Sequence, residues 1–215
     1  MYLIILIIII ATAAIFLYLK NNREKKQGNK GIPEIVSEEE IINNNKINSD
    51  SSEPAPNFKQ QFDAAMANAS KAFVQGNYST ALKYYNEALS YKKSDLVYAG
   101  MFNVYSAQKY WLKAEETINK ALALDATYTE YWKWKLILLD EKTDATFAEL
   151  KKIYAEGLTK GNPKTKINLV TYFAGIAESN NEKTEAVALW EEAIRLNPVK
   201  ESIYQAEIDR LKGIL

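Results

Sequence analysis

From Ala65 onward the chain alternates short runs in which small and apolar side chains recur at helical spacing while the positions between them stay polar. Nine-residue segments carry the clearest form of it: ALKYYNEAL from Ala81, AEETINKAL from Ala114, LKKIYAEGL from Leu150 and AVALWEEAI from Ala186, at offsets of 33, 36 and 36 residues. In each the first, fifth, eighth and ninth positions are apolar or small, so they share one helix face. A period of this size means stacked supersecondary units, none of which buries its apolar face alone.

The pattern extends upstream of each segment. Sixteen residues before Ala81, Ala114 and Ala186 lie Ala65, Tyr98 and Val170, continued on the same face by Ala69 and Ala72, by Phe102 and Tyr105, and by Ala174 and Ala177. In the third unit the stripe reads Trp132, Leu136 and Leu139, displaced by two residues because the connection around Thr143 to Thr146 is longer. Each unit is thus a pair of helices. Gly76 falls in the first connection, where a left-handed backbone is cheap for glycine, and Asn162-Pro163 and Asn197-Pro198 read as helix stops. After the last of these, Lys200 to Leu215 carries Tyr204, Ile208, Leu211 and Leu215 on one stripe, the pattern of a helix that covers the exposed end of a stack.

These residues resemble the tetratricopeptide repeat, a helix-turn-helix of about 34 residues with a large-small-aromatic stripe on its first helix and Ala, aromatic, Ala on its second. The second-helix pattern is met by Ala81, Tyr85 and Ala88, by Ala114, Ile118 and Ala121, and by Ala186, Trp190 and Ala193; the third unit departs, with Leu150 and Gly157 in the alanine places. The resemblance implies an all-α solenoid of about four helix pairs over 62–94, 95–128, 129–166 and 167–199, with a cap at 200–215, all within a domain spanning 58–215.

Upstream of that domain the character of the chain changes twice. Tyr2 to Leu19 is 18 residues without a charge, about 27 Å as a helix, which suits a single transmembrane helix in 1–19. A cleaved signal peptide or a core helix are the alternatives; the first lacks a basic residue before the apolar run, and the run continues past the small pair Ala11 and Ala13. Lys20, Arg23, Lys25, Lys26 and Lys30 follow, with only Glu24 against them, so the N-terminus is expected outside and the repeats in the cytoplasm; signal cleavage would instead make the chain secreted or periplasmic. The segment 20–57 then reads as a disordered tether rich in Asn, Ser, Glu, Lys and Pro, with one mixed apolar and acidic patch from Ile32 to Ile42.

Charge and composition narrow the chemistry. Twenty-seven basic residues balance 27 acidic ones, which gives no footing for nucleic acid, and there is neither cysteine nor histidine, which removes disulfides, thiolate and imidazole metal sites, and imidazole-based catalytic triads. No GxGxxG or GxxxxGK[ST] motif is present, and Glu115-Glu116 and Glu191-Glu192 fall on polar helix faces. No enzymatic activity, cofactor or metal is expected. Two N-x-S sequons, at Asn68 and Asn77, carry meaning only outside the cytoplasm.

What remains is binding. In the resembled family successive first helices line a concave surface that takes a partner segment, which here implicates Asp63, Met66, Ser70 and Phe73, then Ala99, Asn103 and Ser106, then Lys133, Trp134 and Ile137, then Thr171, Tyr172 and Glu178. The carboxylate clamp of chaperone-binding members is absent, because Met66, Ser70, Gly100, Glu130 and Trp134 supply no cation at its positions. The expectation is a membrane-anchored scaffold or adaptor for a protein or peptide segment; the alternative is a structural accessory subunit of a larger membrane complex.

Overall fold

The structure, a computed structural model, describes residues 57–214. The expected membrane helix, its basic flank and the tether lie outside the described residues, as does Leu215. Among the described residues no helix is long and apolar enough to cross a membrane.

Nine α-helices make up the described chain: α1 (Phe58–Val74), α2 (Tyr78–Tyr91), α3 (Asp95–Ala107), α4 (Trp111–Leu124), α5 (Thr129–Lys142), α6 (Phe147–Lys160), α7 (Lys166–Ser179), α8 (Lys183–Leu196) and α9 (Glu201–Lys212). Single 3-10 turns begin at Pro163 and Pro198, where proline's fixed φ and missing N–H end the preceding run. Each odd helix pairs with the helix that follows it, each second helix packs on the next first helix, and α9 lies on α8. The fold is an all-α solenoid of four pairs and a closing helix.

Alanine holds the pairs together. Ala65, Ala69 and Ala72 on α1 and Ala81 and Ala88 on α2, the helices of one packed pair, are all buried, and the second helices α4 and α8 bury Ala114 and Ala121, and Ala186 and Ala193, at the same positions. Helix axes come within about 8 Å only where such small side chains face each other. Tyr85, Ile118 and Tyr154, the middle residues of that stripe, fill the space beside each crossing.

Three connections share one geometry. Gly76, Lys109 and Asn181 all have φ between 61° and 75°, and the residue after each donates its N–H five residues back, Asn77 to Ala72 O at 2.9 Å, Tyr110 to Tyr105 O at 2.9 Å and Glu182 to Ala177 O at 2.8 Å. This is the left-handed helix end that satisfies otherwise orphaned carbonyls. The third connection is different: Thr146 and Glu149 form a reciprocal capping box on α6, Glu149 N donating to Thr146 Oγ1 at 3.3 Å and Thr146 N to the Glu149 carboxylate at 2.8 Å.

The third pair also differs inside. Trp132 and Leu136 are buried as the periodicity predicts, but Leu139 is only half-buried, and Tyr131 and Leu138 form a second buried stripe seven residues apart. The reason is that α5 is packed on more than one side, against α4, α6 and α7. Gly157 of α6 explains its own departure from alanine: a Cβ there meets Leu169 Cδ2 at 2.8 Å and Trp132 Cβ at 2.9 Å, so the volume of the missing methyl is taken by Trp132. At the C-terminal end Tyr204 and Ile208 are buried, and the Tyr204 ring stacks on Trp190 at 5.8 Å.

Candidate functional site

The first helices form a layer of neighbours tied by polar contacts near their N-termini. Tyr131 Oη donates to Asp95 Oδ2 at 2.9 Å between α5 and α3, and Asn168 Nδ2 donates to Glu130 Oε1 at 2.9 Å between α7 and α5. Thr165 Oγ1 reaches Thr129 Oγ1 at 2.7 Å alongside. This layer carries every side chain that the sequence nominates for partner binding.

Counting from the first stripe residue of each unit (Ala65, Tyr98, Trp132, Val170) sorts those side chains by what they touch. Five residues on stand Ser70, Asn103, Ile137 and Gly175, of which all but half-buried Ile137 are exposed. Two residues before stand Asp63, Leu96, Glu130 and Asn168; Asp63, Leu96 and Asn168 are exposed. One residue on stand Met66, Lys133 and Thr171, half-buried, with Ala99 buried rather than open as expected. Lys133 is within 3.6 Å of Glu130 on its own helix, and the Thr171 hydroxyl donates back to Ile167 O at 3.0 Å. An open face therefore runs along the layer through Asp63, Ser70, Leu96, Asn103, Asn168 and Gly175.

The residues two on from each stripe start behave differently, because they fill the seams between successive units. In the first seam the residue is Gly100, and the Tyr85 ring of α2 occupies the place of its side chain, a Cβ there falling within 2.5 Å of the Tyr85 hydroxyl. Burial pushes the Tyr85 phenol up and a hydrogen bond with Ser70 holds it partly down, so Ser70 is engaged as well. In the second seam Trp134 stacks face to face on Phe102 of the preceding unit, centroids 5.7 Å apart and planes 3° apart, and tilts against Tyr131 at 5.6 Å. In the third seam stands Tyr172, whose phenol is pushed up to about 12 by burial and then by Asp140 and Glu141 of α5. Trp134 and Tyr172, expected on the partner-binding wall, are thus joints of the solenoid: a residue two positions beyond the core stripe is turned about 200° from it and meets the neighbouring unit.

Glu178 is corrected in the same way. Its carboxylate accepts from Trp190 Nε1 of α8 at 2.8 Å through one oxygen and from Arg210 of α9 through the other, so it ties three helices instead of facing a partner. Ser106 Oγ is buried and makes no hydrogen bond among the described residues. Phe73, also expected on the face, is half-buried and lies 6.0 Å from the Tyr78 ring.

Leu96, Asn168 and Gly175 of the open face, and half-buried Asp140 on the same layer, escape notice in the sequence; the last two are the most informative. Gly175 occupies the column of Ser70 and Asn103, and a Cβ there meets nothing within 4 Å, so neither packing nor turn geometry requires a glycine. Asp140 stands eight residues after Trp132, in the column of Phe73, Ser106 and Glu178, and burial followed by Glu141 pushes its carboxyl up. Both are found by carrying the column count through every unit.

No protein-family model matches the sequence, and no curated protein matches it. Solved structures do. The structure reported for the functional characterization of Pseudomonas aeruginosa pilF is similar with a TM-score of 0.56 at 19% identity, over 72% of this chain and 68% of that one. That of MamA protein is similar with a TM-score of 0.53 at 14% identity, over 72% of this chain and 84% of that one. At such identities the fold is what is shared, and together with the alanine crossings and the recurring turns it is a tetratricopeptide-like α-solenoid.

Proposed function

We propose that this chain is a membrane-anchored scaffold that captures a segment of another protein on the open face of its first helices. The observation that carries the reading is that this face is left over by the fold: alanine crossings and aromatic seams satisfy the core, while Asp63, Leu96, Asn103 and Asn168 stay in solvent on adjacent helices. Amides bond an extended backbone, and Leu96, 58% exposed, offers an apolar contact. The anchor is residues 2–19, the repeats lie in the cytoplasm, and neither catalysis nor a cofactor is involved.

A photo-crosslinking residue placed at Asn103 in cells is expected to give a discrete protein adduct that the same residue at Lys83, on the exposed side of α2, does not. Equal labelling from both sites, or none from Asn103, counts against capture. Protease added to intact cells is expected to spare a C-terminal tag and to digest it after permeabilisation; digestion in intact cells reverses the topology.

A second reading, a structural accessory subunit of a larger membrane complex, is favoured by one feature. Leu196, Val199 and Ile203 leave an apolar edge at the end of the solenoid, 40%, 93% and 58% exposed. A discrete large particle that survives detergent extraction in high salt supports this reading; a chain that runs alone supports the adaptor.

A further inference from the structure

We infer that one edge of the solenoid, the edge on which successive units are joined, rests on a bilayer surface that carries anionic headgroups. The inference goes beyond capture of a partner: it gives the repeats a contact with lipid that is their own and does not depend on residues 2–19.

The edge follows from the connectivity. A short turn joins the two helices of each pair, so they run antiparallel, and the start of every first helix lies beside the end of every second helix. Contacts across the chain hold these ends together. The Phe58 ring at the head of α1 is 6.4 Å from Tyr91 at the end of α2, Tyr131 of α5 bonds Asp95 of α3, and Asn162 N donates to Thr127 O at 2.8 Å between two successive connections. Arg210 on Glu178 sets α9 parallel to α7, which brings Val199 and Ile203 to the same edge.

Apolar side chains stand exposed along it. They are Phe58, Leu124, Tyr128, Leu196, Val199 and Ile203, with Leu96 at the corner shared with the capture face, whereas the opposite edge exposes Val74, Leu112 and Ile214. Interleaved with them are Lys59, Lys92, Lys93, Lys164 and Lys200, all exposed. The acids of the same connections turn inward: Asp95 accepts from Tyr131, Asp125 from Thr127 N at 2.8 Å and Glu130 from Asn168, all three half-buried, which leaves Glu201 as the exposed acid. On the opposite edge exposed Lys109, Lys142 and Lys183 are matched by exposed Glu141, Asp144 and Glu182. One edge is therefore both apolar and basic, and the other is neither.

That combination suits lipid better than protein. Lysine is depleted from the cores of protein interfaces, where its ammonium loses water. At a headgroup layer the ammonium stays wet while aliphatic and aromatic side chains enter the acyl boundary, and each lysine near an anionic leaflet strengthens attachment about fivefold. The described chain also begins on this edge, at Asn57, so any membrane attachment upstream is passed to it.

The sequence has no cysteine, so a single introduced cysteine reports one position. The full chain carrying Tyr128→Cys or Val199→Cys on this edge, or Val74→Cys or Leu112→Cys on the other, is labelled with a nitrobenzoxadiazole fluorophore. It is reconstituted into phosphatidylcholine vesicles containing about 30% phosphatidylserine and a lipid spin-labelled near the head of its acyl chain as quencher. Quenching at 128 and 199 is expected to be at least about threefold that at 74 and 112, and to fall to their level in about 0.5 M sodium chloride or without phosphatidylserine. Lys164→Glu with Lys200→Glu, two exposed lysines that make no ion pair among the described residues, is expected to do the same with the helical circular dichroism unchanged, whereas arginine at both positions keeps the quenching. Equal quenching on both edges, or quenching indifferent to phosphatidylserine, overturns the inference. Quenching on neither edge also overturns it and leaves the apolar edge to the protein contact of the accessory-subunit reading. Extraction at about pH 11 reports the anchor and the Asn103 adduct reports capture, so each reading fails by its own measurement.

Discussion

Two glycines inside first helices make opposite predictions for the same substitution. Alanine is favoured over glycine by about 0.8 to 1.0 kcal/mol in a helix interior, so propensity alone predicts that Gly100→Ala and Gly175→Ala both stabilise. At Gly175 nothing lies within 4 Å of the new methyl, and that gain is expected in full. At Gly100 the methyl falls within 2.5 Å of the Tyr85 hydroxyl and closer still to the ring, and the ring is held between α1 and α3 by burial and by Ser70. Overpacking of this kind costs about 1 to 3 kcal/mol, and contact with a held ring belongs to its upper half, leaving a net loss of about 1 to 2 kcal/mol. The melting temperature is then expected to fall by about 2 to 8 °C for Gly100→Ala and to rise by about 2 to 4 °C for Gly175→Ala. Thermal melts followed at 222 nm read both shifts, and urea unfolding reads the free energies. A double-mutant cycle with Tyr85→Leu locates the cause: removing the ring relieves the clash, so the pair is expected to couple by at least about 1 kcal/mol. If Gly100→Ala stabilises like Gly175→Ala, or the cycle is additive to within about 0.5 kcal/mol, the seam argument is wrong.

Further expectations follow from the core, the cap and the buried phenols. Ala88→Leu and Ala121→Leu, both at fully buried helix crossings, are expected to lose about 1 to 3 kcal/mol by urea unfolding. Deleting Lys200 to Leu215 removes the buried Tyr204 and Ile208 and uncovers Trp190, so a loss of several kcal/mol is expected at about 1.5 to 3 per large side chain; an unchanged melting temperature would falsify the capping role. Tyr105 and Tyr172 are both pushed up to about 12, chiefly by burial, then by Glu116 for Tyr105 and by Asp140 and Glu141 for Tyr172. Their folded values lie above the unfolded one near 10, so this contribution is complete below about pH 10 and is lost as pH rises through 12, which thermal melts between pH 9 and 12 read as a falling midpoint.

The helix pairs were legible in the chain because burial within a pair repeats with the helix period. Ala65, Ala69 and Ala72 announce a face by spacing alone, and so do Ala114, Ile118 and Ala121. Contacts between pairs carry no such signature. Trp134 is aromatic and off the core stripe, which describes a binding anchor and a seam residue equally well; only the position of Phe102 decides between them. Glu178 likewise reads as one more surface acid until Trp190 and Arg210 are seen to converge on it from 12 and 32 residues away. Leu139 and Leu138 exchange places for a related reason, since a helix packed on several sides has more than one buried stripe and period alone does not rank them.

The recurring turn has a consequence for how the repeat is transmitted along the chain. Gly76, Lys109 and Asn181 have nothing in common as side chains, yet each adopts the same left-handed φ, which costs a lysine roughly 1 to 2 kcal/mol that glycine does not incur. What is copied from unit to unit at this point is a pair of main-chain hydrogen bonds, and main chain is indifferent to the letter above it. Lys109 and Asn181 already carry side chains there, so each is a surface socket where a dye, a tag or a new charge is mounted with no added backbone strain, whereas at Gly76 the same change incurs the strain that glycine avoids.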